Sequence, residues 1–300
     1  MSKTPPAKGL IALLRLPYWL MTGGLALLTA FAITKGAFLN WQTVPLIFFS
    51  MACITSAGFA VNDYFDKESD AVIKPKRPIP SGALTLKQVI AVSAVLFAVG
   101  LSLAAFINWL SFMILVADSL LLLVYSWLVK RKSGFAANVL VGILTGTAFL
   151  FGEAGTLSSA VVSPLSLSLV SLSLYPIAFG TIGGNVLRDI LSLDGDSKVG
   201  YPTLPQKIGN PKSAKVAAVF FVACGLLAPL PFVVGKFTAY YLPFILLWSV
   251  LLIYSSIRLI TSASTVANVR KYERLITMSM ILLPLALILE AISTAIGGLL

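Results

Sequence analysis

An all-α integral membrane protein with nine spans and a cytoplasmic N-terminus is the fold class this sequence predicts, and three observations predict it. Hydrophobic residues make up 58% of the 300 and only 11% are charged, with a mean hydropathy of +0.95, far from the composition of a soluble domain. Stretches without charge recur along the whole chain, and they approach the ~20 residues that a helix needs to cross a bilayer core. Threading nine spans puts every Lys and Arg except Lys35 and Lys236 at or beside breaks on one side. The positive-inside rule makes that side cytoplasmic.

Taken in order, the apolar runs are roughly 12–34, 43–65, 86–106, 109–129, 135–152, 162–188, 213–234, 238–260 and 275–298, read as one domain over residues 1–300. Met1 to Gly9 carries Lys3 and Lys8 without a small-residue cleavage site, and reads as a short cytoplasmic tail before the first span. A net charge of +11 would suggest nucleic acid in a soluble protein; distributed as topology marks, it points to membrane lipids and to no nucleic-acid partner. Cys53 and Cys224 sit in apolar runs without CxxC spacing, so neither a disulfide framework nor a cysteine metal site is indicated. With no histidine in the chain, His-based acid–base chemistry and His-ligated zinc are excluded. Gly23, Gly24, Gly142 and Gly146 read as points of close helix approach. Asp118 and Glu290 fall inside spans, where a carboxylate needs a polar interior or a partner, and either could touch substrate.

The acidic residues are not scattered. Asp63, Asp66, Glu68 and Asp70 follow Asn62 at and beyond the end of the second apolar run, ahead of a basic, proline-rich stretch ending Arg77-Pro-Ile-Pro-Ser-Gly82. At about 100° per residue, Asn62, Asp66 and Asp70 lie at roughly 0°, 40° and 80° around a helix, with Asp63 near 100°. One face then carries several oxygen ligands, a set that suits Mg²⁺; the alternative is a solvated acidic turn. A second cluster, Asp189, Asp194 and Asp196, ends the sixth run. Asp189 and Asp196 project about 20° apart, whereas Asp194 lies about 140° from Asp189 unless Gly195 unwinds the turn. Two facing sets could hold two Mg²⁺ ions about a diphosphate, with basic residues completing the cradle. Lys74, Lys76, Arg77, Lys130, Arg131, Lys132, Arg188 and Lys198 are on the right side, and Arg77 and Arg188 are tied most closely to the acidic motifs.

These motifs resemble those of the UbiA superfamily of intramembrane prenyltransferases. Asn62-Asp-x-x-Asp66-x-x-x-Asp70 with Arg77-Pro-Ile-Pro-Ser-Gly82 matches its first Asp-rich signature, and the helix count and second motif extend the resemblance over most of the chain. The wording is most similar to the archaeal branch that makes digeranylgeranylglyceryl phosphate, and Leu14 to Met21 resembles that branch's Arg-Pro segment on the first helix. The resemblance implies a central cavity open to the membrane and catalysis at Asp66, Asp70, Asp189 and Asp196. Mg²⁺ would be held by Asn62 and those four aspartates, with Asp63 and Asp194 as further ligands. Arg15, Arg77, Lys130, Arg188 and Lys198 would bind the diphosphate or phosphate. It implies a prenyl diphosphate donor, a lipid-like acceptor, ether-bond formation and loops facing the cytoplasm from the cell membrane. Ser192 stands where the family commonly has the middle aspartate of the second motif, the counterpart of Asp66. An aromatic or tetrapyrrole acceptor is the alternative within this family. A secondary transporter is the alternative from another class, although its binding groups would sit near the midplane rather than at one surface.

Overall fold

The computed structural model describes residues 5–36, 41–157, 169–198, 200–261 and 265–297. Among them are nine helical segments long and apolar enough to cross a membrane. The first is broken: α1 (Pro6–Leu14) and α2 (Pro17–Thr34) meet at Arg15, whose φ of 50° and ψ of 52° are left-handed. The expected short tail is therefore helical from Pro6, with Pro6 and Pro17 opening the two pieces, where a missing N–H costs nothing.

The second span, α3 (Thr43–Phe65), is followed by a seven-residue helix, α4 (Lys67–Ile73), with Asp66 at the junction (φ −87°, ψ 3°). α5 (Leu86–Ile107) starts at a capping box between Thr85 and Gln88. Asn108 caps α6 (Trp109–Val124) and also donates to the carbonyls of Ala154 and Leu157, at 2.7 and 3.2 Å. The fourth span continues through a π-helical turn, Tyr125–Val129, into α7 (Lys130–Lys132). Next come α8 (Gly134–Ala154), α9 (Leu169–Leu174), a 3₁₀ turn over Tyr175–Ile177 and α10 (Ala178–Leu191). The expected start of the sixth span at 162 lies outside the described residues. Ser192 (φ −103°, ψ 4°) joins α10 to α11 (Leu193–Lys198), as Asp66 joins α3 to α4.

α12 (Leu204–Ile208) leads into the seventh span, α13 (Asn210–Leu227) with α14 (Leu230–Val233), and α15 (Leu242–Thr261) is the eighth. The ninth contains α16 (Val266–Ser279) and α17 (Leu282–Ala291), before α18 (Ser293–Gly297). It begins nine residues earlier than its apolar run, because Thr265 caps a helix that carries Arg270, Lys271 and Arg274 on exposed positions.

Successive spans pack side by side and α17 returns to α2, closing a ring. α2 separates two apolar cores, and Leu25 packs against both. Outward-facing apolar side chains such as Phe106, 79% exposed, meet hydrocarbon rather than water. A Cβ on Gly23, Gly142 or Gly146 would come within 2.6 Å of a neighbouring helix, as expected, whereas one on Gly24 would meet nothing within 4 Å. Asp118 is buried and accepts from Thr147 at 2.7 Å. Glu290 accepts from the Thr238 amide and hydroxyl, which ties the loop before α15 to the end of α17. Asp118 is thus satisfied by a neighbouring span and Glu290 by the loop that enters one.

Candidate active site

The α3–α4 junction carries the first aspartate group. Asp63, Asp66 and Asp70 are each less than a tenth exposed, on a stretch that the sequence makes helical on either side of Asp66. Buried charges of one sign need counter-charges close by, and each finds one. Arg15 reaches Asp63 at 2.6 Å, and its guanidinium also lies 4.2 Å from the Phe59 ring centroid. The left-handed backbone at Arg15 is therefore held by an ion pair and a ring contact. Arg77 bridges Asp63 at 2.9 Å and Asp70 at 2.5 Å. Lys130 pairs with Asp66. The π-helical turn directly before Lys130 changes the helical phase with which that lysine leaves its span, a placement recurrent at functional sites.

Asp66 has two further partners. Asn62 donates to its Oδ2 at 2.8 Å and Tyr201 to its Oδ1 at 2.7 Å; the Tyr201 hydroxyl also meets Ser69 at 2.9 Å. Tyr201 lies on the far side of the second motif, so it draws the two Asp-rich loops together. Burial, reinforced by the Asp66 carboxylate against the Ser69 hydrogen bond, pushes its phenol well above the ordinary value, and it remains a donor.

In the second motif Asp189 accepts from Asn138 of α8 at 2.7 Å, and Ser192 donates to Asp196 at 2.5 Å. Lys130 and Tyr125 lie within electrostatic reach of Asp189 as well as of Asp66, and Gly195 sits against Ile73. The two motifs therefore meet at one end of the ring. The turn that breaks is at Ser192 rather than Gly195, so Asp194 stays exposed. Lys198 is also exposed. Arg188, expected in the cradle, is turned to Glu273 of α16 at 3.6 Å.

Among the described residues no three carboxylates form a ready-made metal cluster. One atom is nonetheless left open: Asn62 Oδ1 is buried beside Asp66 without a hydrogen-bond partner. An all-oxygen donor set with an uncommitted amide oxygen fits a hard divalent cation. Asn138, Tyr125 and Tyr201 are absent from the sequence reading. Asn138 and Tyr125 lie far from either motif in the chain, and Tyr201, five residues past Asp196, lies far from its partner Asp66; only the π-turn and the Tyr-Pro-Thr-Leu-Pro loop at 201–205 mark their surroundings.

A digeranylgeranylglyceryl phosphate synthase from Natronomonas pharaonis is 36% identical over 235 residues, covering 78% of this chain and 81% of that protein. The solved structure of a digeranylgeranylglyceryl phosphate synthase superposes with a TM-score of 0.80 at 28% identity, covering 96% of this chain and 99% of the other. A UbiA homolog from Archaeoglobus fulgidus bound to GPP and Mg²⁺ shares the fold, with a TM-score of 0.65 at 18% identity over 95% and 99% of the two chains. The model of the UbiA prenyltransferase family matches residues 24–283, and with these relatives it shows that the chain belongs to that family and is an integral membrane prenyltransferase.

Proposed function

We propose that the protein transfers a geranylgeranyl group from its diphosphate to the free hydroxyl of geranylgeranylglyceryl phosphate, forming an ether lipid. It would work as one domain in the cell membrane with its Asp-rich loops in the cytoplasm. The observation that carries the metal assignment is Asn62 Oδ1, buried and unpartnered beside Asp66 where both motifs meet. Asn62, Asp66 and Asp70, with Asp189 and Asp196 from the facing motif, would hold Mg²⁺. When bound, the metal supplies Lewis-acid neutralisation of the departing diphosphate.

The chain's own groups do the rest. Asp63 is committed to Arg15 and Arg77, so its part is to aim those guanidinium groups at the phosphates. Lys130 stands between the motifs and supplies a third cation. Tyr201 fixes the Asp66 carboxylate in one orientation. The allylic C–O bond of the donor breaks with its electron pair on the diphosphate; the acceptor oxygen bonds to the prenyl carbon and sheds its proton. The named relatives, at 36% and 28% identity, support the glycerol-lipid acceptor.

The test is transfer by purified protein from radiolabelled geranylgeranyl diphosphate, with Mg²⁺ or with EDTA, to geranylgeranylglyceryl phosphate and to 4-hydroxybenzoate in parallel. Mg²⁺-dependent labelling of the glycerol lipid alone, lost in Asp66→Ala, is the expected result. Labelling of the aromatic acid alone overturns the acceptor. Transfer undiminished by EDTA or by Asp66→Ala overturns the metal site.

A further inference from the structure

An apolar groove of about 320 Å³ lies between α3, α5 and α6. α3 contributes Ala60, Val61, Tyr64 and Phe65; Ile90 and Ala94 of α5 and Leu123 of α6 close it. At about 100° per residue, the four α3 positions centre roughly 180° from Asn62, Asp63 and Asp66. The groove therefore occupies the face of α3 turned away from the aspartate group, and a chain lying in it does not reach the reacting centre.

Any lipid tail could brush an apolar groove, but one end of this one is chemically distinct. The Lys67 ammonium lies 5.3 Å from the Tyr64 ring centroid. The Arg131 guanidinium lies 5.7 Å from the Phe65 ring centroid and donates to the Phe65 carbonyl at 3.1 Å. Lys87 precedes Ile90 and Ala94 by three and seven residues on α5, and so tops the same helical face. Arg15, Arg77, Lys130 and Arg188 are all in ion pairs; among the described residues none of Lys67, Lys87 and Arg131 is paired with a carboxylate. Three uncompensated cations at the headgroup end of an apolar groove complement an anionic headgroup, and Tyr64 has the amphipathic ring that favours the same depth. A choline headgroup would bring a fourth cation to the cluster.

We propose that this groove binds a resident membrane lipid with an anionic glycerophosphate headgroup. Its phosphate lies against Lys67, Lys87 and Arg131 and one chain lies along Val61, Ala94 and Leu123. The site is separate from the prenyl-transfer centre and does not depend on which acceptor that centre uses.

The experiment places the full-length protein in nanodiscs containing a trace of lipid with a photoreactive diazirine in its chain, headed by either phosphatidylglycerol or phosphatidylcholine. Adducts are then mapped by mass spectrometry. The expected result is adducts at Val61, Ala94 or Leu123 from the glycerol-headed probe in about tenfold excess over the choline-headed one. In Lys67→Gln/Lys87→Gln these adducts fall by about tenfold. In Ala94→Trp, which fills the groove and leaves the cations in place, they disappear. Equal labelling by the two probes overturns the proposal, as does labelling unchanged in both variants. Displacement of the probe by unlabelled geranylgeranylglyceryl phosphate but not by an equal amount of unlabelled phosphatidylglycerol would give the groove to the substrate and overturn it too. If the double-lysine variant fails to fold, the headgroup comparison on the native chain and Ala94→Trp still decide.

Discussion

Asp66 draws its partners from three parts of the chain: Asn62 one turn earlier, Lys130 at the end of the fourth span and Tyr201 beyond the second motif. Tyr201→Phe keeps the ring, whose centroid lies 5.0 Å from the Lys130 ammonium, and removes only the hydrogen bonds to Asp66 and Ser69. A hydrogen bond to a charged group contributes about 1.5–3 kcal/mol, so transfer should fall by ten- to a hundredfold at saturating substrate. The phenol's raised pKa keeps it protonated through neutral and mildly alkaline conditions, so the ratio of variant to native rate should stay flat from about pH 6 to pH 9. A ratio that closes toward the alkaline end would show the native phenol ionising and would contradict its role as a donor. Ser192 occupies the junction in the second motif that Asp66 occupies in the first, and its hydroxyl is spent on Asp196. Ser192→Asp restores a carboxylate there and should lower the Mg²⁺ concentration needed for half-maximal transfer; an unchanged titration would mean the donor set is already complete. The aspartates were legible because they crowd two short windows. Asn138 and Tyr201 were not, because their partners lie 51 and 135 residues away, and no local spacing records a contact made only when spans pack.

Elements with an apolar run long enough to cross the membrane were legible, and elements set by caps and junctions were less so. The ninth span shows why: Arg270, Lys271 and Arg274 lower its hydropathy at the start, yet Thr265 caps a helix there that shields Val269, Tyr272 and Ile276. The short helices α4 and α11 likewise have no apolar run of their own, and each is defined by a one-residue break at Asp66 or Ser192. Close approach between spans was also only half legible, since a glycine in a span does not reveal which side its neighbour is on. A Cβ at Gly152 of α8 would come 2.4 Å from the Ala26 carbonyl oxygen and 2.9 Å from Thr29 Cβ on α2, whereas one at Gly24 meets nothing within 4 Å. The Gly152 contact is with backbone, which cannot rotate aside, so Gly152→Ala should destabilise the protein by about 1–3 kcal/mol. Gly24→Ala should be neutral or stabilise by up to about 1 kcal/mol through helix propensity. Thermal unfolding in one detergent checks both; equal melting temperatures would mean that α2 and α8 can separate at little cost.

At the scale of the whole molecule, the ring brings both Asp-rich loops to one end, while the Lys35 carbonyl accepts from Thr294 and Thr238 is tied to Glu290 at another set of loops. The Asp-rich loops follow the second and sixth spans and the other set follows the first, seventh and ninth, so the two sets face opposite sides of the bilayer; the proposal that the Asp-rich end is cytoplasmic rests on the charge asymmetry. Cysteine labelling can test this directly, because Cys53 and Cys224 are both buried and should stay silent toward a membrane-impermeant maleimide. Lys76→Cys, exposed after the second span, should react in inside-out vesicles and not in sealed right-side-out ones. Lys236→Cys, exposed after the seventh span, should show the reverse. Reaction of both from one side would break the nine-span parity, and reaction of each from the opposite side would invert the protein. Inversion would also bear on chemistry: a multiply charged diphosphate does not cross hydrocarbon unaided, so the loops that carry Arg77 and Lys130 must open to the compartment that supplies the donor.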